Sequence, residues 1–335
     1  MTSFRPRAWL HGGHVQTLLG YWSRRRLRWS VPAEDLVVEA GEGARLLVRA
    51  SWREDAAQRP TLVLLHGLGG CDASGYVIAT GELAWADGWN VARMNMRGAG
   101  DGQAHCARLY NAGLDADLVA VAQALARRTP HLALAGFSLG GNLVLLALGR
   151  SGAQLPHGVF AATAVSPPLD LGACADALGR RGNRLYQSHY VRGLRAAYRE
   201  RQRLLPDVYA RGRERATRTI REFDHAVTAH YGGFAGADDY YARSSSGPWL
   251  TRIDRPTLIL ATADDPMIPP ATVARWPLPE SGLVRREMTP TGGHVGFVGP
   301  TRAGGRFWAA ERVMSFLRDA WDARTRRLDG ADPAA

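Results

Sequence analysis

Residues 136–140 read Gly-Phe-Ser-Leu-Gly, setting the Ser138 hydroxyl between Gly136 and Gly140 where one apolar run (131–137) hands over to another (139–150). A serine so placed stands on a tight turn at the end of a strand. Small residues two before and two after it let strand and following helix approach closely. At the start of a helix its oxygen also lies where the backbone dipole favours negative charge. A serine hydroxyl is a poor nucleophile alone. It needs a base, an acid to orient that base, and N–H donors for a developing oxyanion. The base candidate is His294 in "TPTGGHVGF", a glycine-rich loop after the last strand-like run. The acid candidate is Asp265 in "ATADDPMIPP"; it precedes "PMIP" directly, which favours it over its neighbour Asp264, left open as a substitute. The donors are the backbone N–H groups of Leu139 and of Leu68 in "HGLGG". Isolated Gly-x-Ser-x-Gly matches are common. The strand before, the helix after, and an Asp and a His after later strands single this one out.

Other reactive side chains read as structural. His66 suits a holder of the Leu68 loop better than a second base. His11 and His14 in "HGGH" lack a third ligand cluster, so no metal is expected. Cys71 beside the loop reads as a small packed residue.

The elements that must position these groups alternate. Strand-like runs occur at 35–40, 44–51, 61–66, 89–96, 131–137, 158–167, 256–262 and 283–289, with helical patterns at 75–86, 115–128 and 139–150. The first two runs, joined by Gly41-Glu42-Gly43, read as a hairpin. The later ones are nearly continuous in apolar residues, as expected of a mostly parallel sheet covered by helices on both faces. The alternation stops at Pro167 and resumes at Pro256. The stretch between, taken as 168–250, is Arg-rich, aromatic and helical in pattern. An insertion there stands over the crevice where open sheets bind ligands, which suits an inserted helical cap. The chain therefore reads as a single α/β domain over 1–325, with 326–335 as a disordered tail.

Composition excludes several classes. Of 335 residues 46% are apolar, and no run approaches a membrane span. The first 30 residues have no apolar h-region or Ala-x-Ala site, so no signal peptide is expected. Three widely spaced cysteines fit a reducing compartment, and the expected location is cytoplasmic. The net charge of +11 is local: residues 180–221 hold thirteen arginines against Glu200, Asp207 and Glu214, a net of +10. Every basic residue is arginine, and no zinc finger, helix-turn-helix or aromatic–basic strand accompanies them, so nucleic acid is not an expected partner. The arginine-rich cap could instead steer anionic amphiphiles or touch anionic lipid.

Taken together, "GGHVQTLLG" (12–20), "HGLGG" (66–70), "MNMRGAGDG" (94–102), "GFSLGGN" (136–142), "REFDHAVTAHYGGFAGADDYYARSSS" (221–246), "DDPMIP" (264–269) and "GGHVGF" (292–297) resemble the YheT-like branch of the α/β-hydrolases. That branch is related to the animal alpha/beta-hydrolase-domain esterases and lipases. Stretch 221–246 narrows the branch; the other motifs alone would only say α/β-hydrolase fold. The chain order Ser138, Asp265, His294 is that of the superfamily's triad. Where family members often carry Tyr-His-Ser-Gly, this chain has Tyr110-Asn111-Ala112-Gly113. The resemblance implies a cofactor-free serine hydrolase cleaving carboxylic esters, esterase- or lipase-like, through an acyl-enzyme on Ser138. Its substrate would be a small-molecule ester, lipid-like in some relatives. An acyltransferase or thioesterase on the same triad, or a non-catalytic scaffold, remain the alternatives.

Overall fold

The computed structural model describes residues 4–301 and 305–329. One sheet of eight strands organises them: β1 (Glu34–Ala40), β2 (Ala44–Ser51), β3 (Thr61–Leu65), β4 (Asn90–Met94), β5 (Leu132–Phe137), β6 (Val159–Val165), β7 (Thr257–Thr262) and β8 (Val284–Thr289). Their spatial order is β1-β2-β4-β3-β5-β6-β7-β8. β1 and β2 form the expected hairpin, and β2 joins β4 antiparallel. From β4 to β8 all pairs are parallel. Every residue of β3, β4, β5, β6 and β7 is buried, the physical reason that all but β4, which holds Asn90 and Arg93, run nearly continuously apolar. The last edge strand, β8, carries Arg285, Arg286 and Glu287, charges that discourage edge-to-edge pairing.

The helices are α1 (Gly13–Arg24), α2 (Gly75–Ala86), α3 (Asp115–Ala126), α4 (Leu139–Gly149), α5 (Leu171–Gly179), α6 (Arg184–Leu204), α7 (Ile220–Phe223), α8 (Ala229–Gly232), α9 (Ala237–Ser244), α10 (Pro270–Ala274) and α11 (Trp308–Asp329). Two hydrophobic cores flank the sheet. Leu118 and Val121 of α3 with Leu143 and Leu145 of α4 pack on one face. Val77 and Ala84 of α2 with Val313 and Leu317 of α11 pack on the other. Helix α4 is buried along its whole length. Between β6 and β7 lie α5 to α9, joined by a π-helical turn at Asp224–Thr228, with a small aromatic core of Tyr198, Tyr209, Phe223 and Val227 of their own. At the C-terminus α11 continues through 326–329, so the expected disordered tail at 326–335 does not begin at 326. Arg326 and Arg327 in its last turn suit the dipole and extend a helix already anchored by packing. Residues 330–335 lie outside the described residues.

Candidate active site

The chain order reverses at β3, which lies between β4 and β5. In open parallel sheets the crevice outside the carboxyl ends of strands at such a point is the ligand-binding position. The loops after β3, β5, β7 and β8 all deliver candidate residues there.

Ser138 follows β5 as the N-cap of α4, with φ 51° and ψ −119°. A positive φ on a non-glycine residue costs on the order of 1–3 kcal/mol and persists only where the surroundings enforce it. Here the backbone is trapped by the Ser138 N–H bond to the Val165 carbonyl (2.8 Å) and by close contact of α4 with β3. A Cβ on Gly140 would lie 2.4 Å from the His66 carbonyl oxygen, so only glycine allows that approach. Ser166, Val295 and Phe297 also take positive φ. Strain is therefore concentrated around the crevice, with Ser166 Oγ accepting the Val295 N–H at 3.2 Å.

Three side chains separated by up to 156 residues meet. His294 Nε2 is 2.9 Å from Ser138 Oγ. His294 Nδ1 is 2.9 Å from Asp265 Oδ2, with both side chains buried. The other carboxylate oxygen, Oδ1, accepts the N–H groups of Met267 (2.8 Å) and Ile268 (3.0 Å). That leaves Oδ2 for the imidazole. The neighbouring acid does something else: Asp264 accepts from Thr291 Oγ1 (2.6 Å) and from the Gly293 N–H (2.9 Å). It pins the histidine loop and makes no hydrogen bond to the ring.

The loop after β3 is held on both sides of Leu68. Tyr76 Oη accepts the Gly67 N–H at 2.9 Å, and Tyr110 Oη accepts the Gly69 N–H at 2.8 Å. The Leu68 N–H between them, like that of Leu139 at the start of α4, has no hydrogen-bond partner among the described residues. Both residues line the same cavity as Ser138. Burial pushes the Tyr110 phenol up to about 12, so it stays protonated. His66 sits wholly buried beneath the loop, donating from Nδ1 to the Gly67 carbonyl (2.8 Å) and accepting the Met96 N–H at Nε2 (3.1 Å). Burial pulls its imidazole down to about 4, which keeps it neutral.

Helix α1, which carries none of the expected site residues, also reaches the site. Thr17 Oγ1 accepts the His294 N–H (2.8 Å), and Gln16 Oε1 accepts the Val298 N–H (2.7 Å). Gln16 Nε2 donates to the carbonyls of Leu10 and Val298. Arg24, buried with no carboxylate partner among the described residues, donates to the carbonyls of Val295 and Gly296, each at 2.6 Å. Desolvation pulls its guanidinium down to about 10. A Cβ on Gly13 would fall 1.7 Å from the Asp264 carbonyl oxygen. These contacts clamp the histidine loop across more than 270 residues of sequence, and only the motif "GGHVQTLLG" hinted at them. His14, the second histidine of "HGGH", stacks on Tyr186.

The 221–246 stretch ties the insertion to the sheet. Asn142 Oδ1 accepts the Ser246 N–H, and its Nδ2 donates to the carbonyls of Ser244 and Ala112. Asp224, in the π-helical turn, accepts from Thr228 Oγ1 (2.7 Å) and Tyr241 Oη (2.8 Å). Burial pushes its carboxyl up to about 6. Two cavities open from Ser138 and His294. One, of about 710 Å³, runs under the insertion among Leu171, Leu178, Tyr190, Ile220 and Phe223. The other, of about 660 Å³, opens between α1 and the start of α6.

Fold and crevice are those of an α/β hydrolase, and the chain belongs to the alpha/beta hydrolase fold family, whose pattern matches residues 60–300. It is 33% identical over 331 residues to "Putative esterase YheT" of Escherichia coli (strain K12), covering 96% of this chain and 95% of that protein. It is 27% identical to "Phospholipase ABHD3" of Mus musculus, covering 88% of this chain and 73% of the other. Among solved structures, the Pyrococcus furiosus esterase Pf2001 shares the fold with a TM-score of 0.55 at 15% identity, over 87% of this chain and 93% of that one.

Proposed function

We propose that the protein is a serine ester hydrolase working through an acyl-enzyme on Ser138. The observation that carries the reading is the unbroken chain Ser138 Oγ–His294 Nε2–His294 Nδ1–Asp265 Oδ2, with two links of 2.9 Å. Ser138 Oγ attacks the ester carbonyl carbon while His294 Nε2 takes its proton. Asp265 holds the Nδ1–H tautomer and stabilises the imidazolium. The free N–H groups of Leu68 and Leu139 receive the developing oxyanion; a single such donor is worth about 3–4 kcal/mol in the transition state. Collapse expels the alkoxide, which takes the proton from Nε2. Water, deprotonated by His294, then attacks the acyl carbon and releases acid and free Ser138.

Helices α5 to α9 act as the cap. Its apolar cavity of about 710 Å³ takes the acyl chain, and the alcohol portion leaves by the α1–α6 opening. Relatives named as an esterase and as a phospholipase support this reaction class. The test is labelling of purified protein with a fluorophosphonate probe beside Ser138→Ala. Labelling of wild type alone is expected. Equal labelling of both, or none in folded wild type, would overturn the proposal.

A further inference from the structure

Helix α1 is inside out. Its buried stripe is Gly13, Gln16, Thr17, Gly20 and Arg24, polar or small residues spent on the histidine loop. Its apolar residues recur on the opposite face: Val15 is 44% exposed, Leu18 50%, Tyr21 61% and Trp22 65%. Across the 660 Å³ opening the first turn of α6 adds Leu185, 82% exposed. The two elements are joined at the rim by His14 stacked on Tyr186 and by Tyr21 against His189. A contiguous apolar face of this kind marks an interaction site.

Its surroundings specify the partner's charge. Residues 1–33 contain no Asp or Glu, nor do residues 177–199. Arg25, Arg26, Arg28, Arg181 and Arg184 flank the face, all exposed and, among the described residues, in no ion pair. Elsewhere in the insertion arginines do pair, Arg199 with Glu214 and Arg221 with Asp176. An apolar face with Trp and Tyr at its centre and unpaired arginines around it is the composition of a helix lying in the plane of an anionic membrane interface. A second copy of this chain fits less well, because a two-fold interface would set these arginines against their own equivalents.

We propose that α1 and the start of α6 form a docking surface for an anionic lipid bilayer, setting the mouth of the cavity that reaches Ser138 on the membrane. This rim takes in the start of the arginine-rich cap and adds α1 to it. That docking serves the delivery of lipid esters rests on the ester-hydrolase reading, whereas the docking itself does not.

The experiment is co-sedimentation with vesicles of phosphatidylcholine alone and of phosphatidylcholine with phosphatidylglycerol at 3:1. Wild type is compared with Leu18→Glu/Trp22→Glu, with Arg25→Gln/Arg26→Gln/Arg184→Gln and with Ser138→Ala, each checked for fold by thermal melting. Wild type and Ser138→Ala are expected to partition equally onto the anionic vesicles. Both other variants should lose at least tenfold, and raised salt should weaken the binding of wild type. If the Leu18/Trp22 variant melts early, the arginine variant reads the same surface without touching its packing. Wild type remaining in the supernatant with anionic vesicles, or either surface variant binding as wild type does, would overturn the proposal. So would a dimer that the Leu18/Trp22 variant dissolves while vesicles bind nothing. Retained binding by Ser138→Ala separates this result from any failure of the hydrolase reading.

Discussion

The two adjacent acids after β7 should separate cleanly on substitution to asparagine. In Asp265→Asn the amide oxygen has one place it can face. The N–H groups of Met267 and Ile268 both point at Oδ1 and need an acceptor there. The NH₂ group is thereby turned toward His294 Nδ1, which must now accept. The ring proton moves to Nε2, 2.9 Å from Ser138 Oγ, so the histidine is no longer a base in its resting state. In a serine protease the equivalent change lowers kcat about 10⁴-fold, and a loss of that order, about 5–6 kcal/mol of transition-state stabilisation, is expected here with KM little altered. Asp264→Asn keeps an acceptor for the Gly293 N–H and faces Thr291 with an NH₂ that the hydroxyl can accept. It forfeits the charge assistance of two bonds, roughly 2 kcal/mol of stability, which for a chain of this length lowers Tm by about 3 °C. Its kcat/KM should fall less than about tenfold. The assay is steady-state hydrolysis of a soluble ester with thermal melts of all three proteins. Activity of Asp265→Asn within tenfold of wild type, or a collapse of Asp264→Asn activity at unchanged Tm, would refute the tautomer argument.

Three further outcomes follow from the same geometry. Gly140→Ala brings a methyl 2.4 Å from the His66 carbonyl oxygen in a backbone contact that cannot yield cheaply. It should cost about 3 kcal/mol in denaturant unfolding, and no loss would mean that α4 can shift off β3. His66 is depressed to about 4 in the folded protein against about 6.5 unfolded, so the unfolded chain binds the extra proton. Its contribution is fully present above pH 6.5 and is lost as pH falls toward 4, amounting to about 2 kcal/mol by pH 5. Comparing wild type with His66→Gln between pH 7.5 and 5 isolates it, and parallel pH curves would disprove it. Thr17→Val removes the acceptor of the His294 N–H inside a buried contact, about 1–3 kcal/mol. It should lower kcat more than it raises KM, a split that a purely structural defect would not produce.

Much of the candidate site could be read from residue order because its parts are local. A strand, a Gly-x-Ser-x-Gly turn and a helix are written within about twenty residues, and glycines at 136 and 140 report how near the two elements come. The same holds for the glycine-rich loops around Leu68 and His294. The parallel sheet was equally legible, since strands buried on both faces have no polar phase to hide. Other features depend on partners far away in sequence. The position before "PMIP" favours Asp265, but only the folded loops show why: the N–H groups of residues 267 and 268 hold Asp265 while that of residue 293 holds Asp264.

Helix α1 marks the limit most clearly. Its sequence reads only as part of a motif, and nothing in it says which side of a helix there would face inward. Burial ordinarily goes with apolarity, and by that rule Leu18 and Trp22 would be core. Here a loop from the far end of the chain needs donors and acceptors for its own backbone, so Gln16, Thr17 and Arg24 turn in and the apolar residues turn out. Sequence alone determined the chain's fold class and nominated the candidate residues of its site, because local turn chemistry and apolar runs encode them. Only the tertiary structure decided the orientation of α1, since unsatisfied buried backbone groups outweighed the exposure of a few apolar side chains.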